Sequence, residues 1–178
     1  MNHPTKYYKN AEDFNNARRI LSSYQKTHNI IRKDYLNLLD ITRGALQNQK
    51  SFNTLYRACI RELFSLIESD LYSLNGLDPY RGYHDYDGFK SKFKKTIKQV
   101  FKTWEKEDLQ KKYFDQNLEQ LFNFLELRDK ITHPKSPDDF KDAILDDVDK
   151  VAQVFQEYRS LIHKLMDDFF IGINEKPV

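Results

Sequence analysis

Phe52-Asn-Thr-Leu-Tyr-Arg-Ala-Cys-Ile-Arg-Glu-Leu-Phe-Ser-Leu-Ile-Glu-Ser-Asp-Leu-Tyr-Ser-Leu74 is the stretch that decides the fold class. Leu55, Cys59, Ile60, Leu63, Ile67 and Leu71 recur at helical steps, which line one face of an α-helix. A strand, with its period of two, would scatter them over both faces. No proline or glycine interrupts the run, and no proline stands anywhere between Pro4 and Pro79. Upstream, from about Asp13 to Gln47, Phe14, Ala17, Ile20, Leu21, Tyr24, Ile31, Tyr35, Leu38, Leu39 and Ile41 keep the same rhythm.

Downstream, Asn75 to Asp87 is rich in Gly, Pro and Asp and reads as a loop. Phe89, Phe93, Ile97, Val100, Phe101 and Trp104 mark a third helix, and Leu118, Leu121, Phe122, Leu125 and Ile131 a fourth. The last helix carries Ile144, Val148, Val151, Phe155, Tyr158, Ile162, Leu165 and Phe169. Its start is ambiguous: Ser136-Pro137-Asp138-Asp139 has a capping Ser, a first-turn Pro and acids for the positive dipole end, but Leu145 serves as well. Five amphipathic helices with no strand pattern between them predict an all-α antiparallel bundle. The expected domain covers residues 10–172, with loose tails at 1–9 and 173–178.

A chain of 178 residues fits one domain, which buries roughly 70% of the surface its unfolded form exposes. Only 39% of residues are hydrophobic, but 13 Phe and 11 Tyr supply large side chains that can fill a core. The net charge of +2, from 29 basic and 27 acidic residues, gives no global preference for nucleic acid, so any electrostatic footprint must be local. Cys59 is the single cysteine, which excludes an internal disulfide and fits a reducing compartment; on the apolar stripe it reads as packed core. Residues 1–9 lack the apolar stretch of a signal peptide, and no run approaches a membrane span. The expected location is the cytoplasm, away from membranes.

Several chemistries lack their residues. There is no phosphate-binding Gly-x4-Gly-Lys loop, no Gly-x-Gly-x-x-Gly turn, no Cys-x-x-Cys and no His-Glu-x-x-His or Glu-x-x-His, so phosphate-loop, dinucleotide, zinc-protease and di-iron readings fall away. The segment that can carry chemistry is Leu125-Glu126-Leu127-Arg128-Asp129-Lys130-Ile131-Thr132-His133-Pro134. On a continuous helix Arg128 and His133 would lie about 140° apart. Pro134 pushes its predecessor out of the α region, so the helix should stop near Thr132 and free His133 to turn back toward Arg128. Arginine offers a bidentate fork for phosphate oxygens, and histidine can move a proton near neutrality. A plainer reading stands beside this: Arg128 as a last-turn cation paired with Glu126 or Asp129, and His133 as a helix end.

The run Leu127 to Pro134 resembles the Arg-x4–6-His motif of the HEPN domains, the higher eukaryotes and prokaryotes nucleotide-binding family. Asp129 stands in the polar position after the arginine, and Ile131 in the aliphatic position before Thr132-His133. The helical plan is also similar over residues 10–170, and Arg57 to Tyr72 resembles the family's upstream helix less specifically. The resemblance implies a metal-independent endoribonuclease without a cofactor, with RNA as substrate. It also implies a homodimer joined through the motif face, and a toxin or phage-defence module with an antitoxin or other protein partner. His133 would activate the ribose 2′-hydroxyl or protonate the leaving 5′-oxygen, Arg128 would stabilise phosphate charge, and Asp129 would orient Arg128 or nearby backbone. Thr132, Lys130 and Lys135 are the candidate substrate contacts. Some toxins of the family carry a modifiable Tyr two residues after the His; here it is Lys135, which argues against control by that route. The alternative is a non-catalytic module of the same fold that binds RNA or a protein.

Lys90, Lys92, Lys94, Lys95, Lys98 and Lys102 crowd the third helix, just after Tyr80, Arg81, Tyr83, His84 and Tyr86. The plain reading is a solvated helix face after a Tyr-rich loop; the other is a basic, stackable surface for single-stranded RNA. The spacing of His84, Asp85 and Asp87 matches no metal site. His163 reads as half-buried structure, and His3 and His28 carry no local signal.

Overall fold

Two long helices form the spine of the computed structural model, which describes residues 6–84, 86–167 and 169–173. Helix α1 (Ala11–Gly44) and helix α2 (Gln49–Leu77) are joined by a turn short enough to make them antiparallel neighbours. Both start on an asparagine: the Asn10 and Asn48 carboxamides accept the backbone N–H of Asp13 and Ser51 at 2.8 and 3.0 Å, satisfying donors that a first turn leaves open. Helix α1 buries a narrow seam, Ala17, Tyr24, Tyr35, Leu39 and Thr42. Helix α2 is apolar round most of its girth, with Cys59, Ile60, Leu63, Phe64, Leu66 and Ile67 almost inaccessible, as befits a helix packed on several sides.

Around this pair lie α3 (Phe89–Thr103), α4 (Glu107–Gln116), α5 (Leu118–Thr132) and α6 (Leu145–Met166). Six helices among the described residues confirm the all-α bundle, with one more helix than the sequence predicts. The additional one is α4, ten residues that bury only Gln110 and Tyr113 and lack a capping side chain. Phe93 of α3 is the hub of the core: the rings of Phe89, Tyr113, Phe114, Phe122 and Tyr158 stand 5.9 to 6.4 Å from its own, a spacing at which aromatic pairs attract. Cys59 is fully buried, as expected, with its sulfur 3.2 Å from the Thr42 hydroxyl.

Helix α2 runs on to Leu77, through the expected loop start at Asn75, and the open start of the last helix is settled. Ser136 does cap Pro137, but only a single 3-10 turn, Pro137–Asp139, results; α6 begins at Leu145, the later alternative. It also ends earlier, at Met166, and Phe169 stacks on Trp104 beyond it, centroids 3.8 Å apart. Lys6 to Tyr8 and Ile173, expected in loose tails, are ordered: strand β1 (Lys6–Tyr8) pairs in parallel with strand β2 (Ile171–Ile173). Residues 1–5 and 174–178 of those tails lie outside the described residues.

Lysines close two helix ends. Lys6 donates to the Leu77 carbonyl at 2.6 Å and to Asp78 at 2.5 Å, beyond the end of α2. The buried Asp78 also accepts the Trp104 indole N–H. Lys106 donates to the carbonyls of Lys164, Leu165 and Asp167 at the end of α6, where unpaired carbonyls and the negative dipole end both favour a cation. No helix among the described residues is long and apolar enough to cross a membrane.

Candidate functional site at the end of helix α5

Helix α5 stops at Thr132, one residue before His133, because Pro134 bars its predecessor from the α region. His133 sits at the C-cap with φ −127° and ψ 61°, its N–H still bonded to the Asp129 carbonyl at 2.9 Å. Its ring is exposed and makes no hydrogen bond among the described residues. Arg61 of α2 donates to the Ile131 carbonyl at 2.7 Å, placing a second cation at this helix end.

Arg128, a turn earlier, is held from several directions. Its Nη2 lies 3.1 Å from Glu68 Oε1 and its Nε 3.3 Å from Asp129 Oδ1. The guanidinium stands over Phe64 at 5.3 Å and Phe89 at 6.0 Å, a cation–π arrangement that leaves the side chain 21% exposed. Glu126, the other acid named for Arg128, pairs instead with Lys90 at 2.9 Å, which lowers its carboxyl below the ordinary value.

Arg128 lines a cavity of about 360 Å³ with Glu68, Tyr72, Tyr83, Asp87, Phe89 and Lys92. The Tyr-rich loop and one lysine of α3 therefore join the arginine at one place. Lys92 lies over the Tyr83 ring at 5.6 Å. Tyr72 and Tyr86 are 74% and 83% exposed, and Tyr86 stacks on His84 with ring planes 9° apart. The other lysines divide: Lys95 faces Asp87 at 3.7 Å, and Lys90 and Lys94 lie over Phe122, while Lys98 and Lys102 are exposed.

The candidate residues are thus only partly brought together. Asp129 lies at ion-pair distance from Arg128, though the buried Nε makes no hydrogen bond among the described residues. His133 is not among the residues lining Arg128's cavity, and Lys130 lines a different groove, with Arg57, Asp138 and Phe140. Thr132 and Lys135 are exposed next to His133. The Asp139 carboxylate accepts the N–H groups of Lys135 and Ser136 at 2.7 and 3.1 Å, bonds that hold its carboxyl below the usual range and fix the backbone just after the motif.

A second cluster escapes the sequence reading. Asp70 of α2 is fully buried; its carboxylate lies 2.9 and 3.1 Å from His28 Nδ1 of α1 and accepts the Tyr158 hydroxyl of α6 at 3.0 Å. Burial pushes the Asp70 carboxyl up, against the lowering effect of those two partners. The available signal is an acid on the apolar stripe: Asp70 follows Ile67 by three residues and precedes Leu74 by four, on the face that is otherwise core. Among the described residues no three His, Cys, Asp or Glu side chains gather closely enough to hold a metal ion.

Comparison with protein-family models, curated proteins and solved structures finds no match to this chain.

Proposed function

We propose that this protein is a HEPN-like, metal-independent endoribonuclease whose chemistry rests on Arg128 and His133. The observation that supports this best is the contrast at the end of α5. Arg128 is held by a hydrogen bond to Glu68 and by the rings of Phe64 and Phe89, with Asp129 at ion-pair distance, beside an aromatic cavity, whereas the His133 ring, just past a proline-terminated helix, is exposed and makes no hydrogen bond among the described residues. An oriented guanidinium suits a phosphodiester, and an accessible imidazole suits proton transfer. Tyr72, Tyr83 and Lys92 offer base stacking and backbone charge at the same place.

In this reading an imidazole takes the proton of the ribose 2′-hydroxyl as its oxygen bonds to phosphorus. The P–O5′ bond breaks, and the leaving oxygen takes a proton from a second imidazole. Arg128 stabilises the charge on the nonbridging oxygens, and the products carry 2′,3′-cyclic phosphate and 5′-hydroxyl ends. Two copies of the chain joined through the motif face supply the two histidines and two arginines for one phosphate. A role as toxin or defence effector, with a protein partner, follows from the same resemblance.

The test is cleavage of a mixed RNA pool by purified protein in EDTA, beside His133→Ala. Cleavage abolished in the variant is the expected result. Equal cleavage by both sinks the assignment of His133. No cleavage by either, with RNA binding retained, moves the reading to a non-catalytic RNA-binding module of the same fold.

A further inference from the structure

On the opposite side of α2 from its contact with Arg128, the His28–Asp70 pair opens onto a groove of about 320 Å³ between α1 and α6. Arg32 stands four residues after His28 on α1, so both share one helix face; Arg159, Ile162, His163 and Met166 supply the facing side of α6. None of the lining residues is acidic. The side chains of Arg32 and His163 make no hydrogen bond or ion pair among the described residues, and the Arg159 guanidinium makes only a long 3.4 Å bond to Gln156 of its own helix. The groove thus holds two imidazoles and two guanidinium groups that no carboxylate pairs with among the described residues.

His28 is the organised member. Its Nδ1 edge faces Asp70, which is fully buried, and the Tyr24 ring lies 5.5 Å away. Its side chain is 16% exposed. Nε2 has no hydrogen-bond partner among the described residues and is not among the buried unpartnered atoms, so it meets solvent in the groove. A buried carboxylate that fixes a histidine by one nitrogen and aims the other at an opening is the arrangement by which imidazoles are positioned for ligands. A buried ion pair is poor evidence of stabilisation, since apolar replacements serve as well or better.

We infer that this groove is a binding site for a phosphate monoester, the two guanidinium groups of Arg32 and Arg159 gripping its oxygens and His28 Nε2 completing the contact. The forks match phosphate geometry. Nε2 can accept from a P–OH or, when protonated, donate to a P–O⁻, and His163 adds a further partner at the edge. The volume lies in the range of small-ligand sites, enough for a phosphate carrying a sugar or nucleoside. The site shares no residue with the Arg128 cavity, so it stands whether or not the chain cleaves RNA.

The experiment follows the histidine ring resonances of the full chain by long-range ¹⁵N–¹H NMR at constant ionic strength. Inorganic phosphate is titrated first and adenosine 5′-monophosphate second. The His28 signals should shift saturably, with Kd near or below about 1 mM. Binding should weaken at least about tenfold in Arg32→Ala and in Arg159→Ala, and stay unchanged in Arg19→Ala on an outer face of α1. Tighter binding of the nucleotide than of phosphate assigns the groove to nucleotides, and equal binding assigns it to the phosphate group alone. Linear shifts matching those from chloride, or full affinity in both arginine variants, overturn the assignment; neither arginine is part of the core, so loss of folding does not confuse the result.

Discussion

Replacing Glu68 by glutamine removes one negative charge from the wall of the Arg128 cavity and changes almost no volume. Glu68 Oε1 is 3.1 Å from Arg128 Nη2, where a substrate phosphate oxygen would bind, and its side chain is 52% exposed. A pair that open to water contributes about 0–1 kcal/mol, so folding should lose no more than about 1 kcal/mol, or roughly 2–4 °C in Tm. For an anion the balance is different. A phosphate must displace the carboxylate and then sit within about 4 Å of it, a repulsion of about 1 kcal/mol in water and about 4 kcal/mol at an effective dielectric of 20. Because the displaced side chain swings toward solvent, the lower end applies, about 1–2 kcal/mol. At about 1.4 kcal/mol per tenfold, Glu68→Gln should bind a labelled RNA oligonucleotide roughly 5- to 30-fold more tightly. Fluorescence anisotropy in EDTA at fixed salt measures this. Affinity unchanged within about twofold, or weakened, refutes the reasoning that Arg128 is the phosphate contact and Glu68 its placeholder.

Tyr158→Phe removes the hydroxyl that bonds to buried Asp70; bonds to charged groups contribute about 1.5–3 kcal/mol, and urea denaturation should show a loss of that size, while less than about 0.5 kcal/mol would mean that the carboxylate does not depend on it. The Asp70 carboxyl is raised by burial, so above its ordinary value of 3.8 the native chain holds this proton after the unfolded chain has released it. Stability due to Asp70 is therefore present below that value and falls as pH rises through the raised one; denaturation curves from pH 4 upward should show wild type losing stability relative to Asp70→Asn, and parallel curves would contradict the shift. Asn53 bonds Asp142 and the Ala143 N–H at 2.6 and 2.9 Å, so Asn53→Ala should speed amide exchange at Ala143 at least about tenfold without changing exchange in the middle of α2; unchanged exchange would mean that the segment before α6 is held by other contacts.

The helices were legible where burial repeats over many turns. Helix α2 buries a residue at nearly every turn, and tertiary packing only reinforces what the spacing implies. Helix α4 shows the limit: three turns with two buried side chains leave too little periodicity above the background of charged residues. The β1–β2 pair had no local signal at all, because a three-residue strand is defined by its partner at the far end of the chain. The same division runs through the candidate site. Pro134 acts on its own predecessor, so the end of α5 was readable from four letters. Glu68, Phe64 and Phe89 reach Arg128 from other helices, and His28 meets Asp70 across the α1–α2 pair; no spacing along one helix encodes those meetings.

The parallel register of β1 and β2 sets how the molecule carries a mechanical load. Lys6 lies opposite Ile171 and Tyr8 opposite Ile173, so tension applied to the chain before β1 and after β2 pulls the two strands past each other along their length. Their inter-strand bonds then bear force together rather than opening one at a time. Lys6, anchored to Leu77 and Asp78, passes part of that force to the end of α2, the helix on which the bundle is packed.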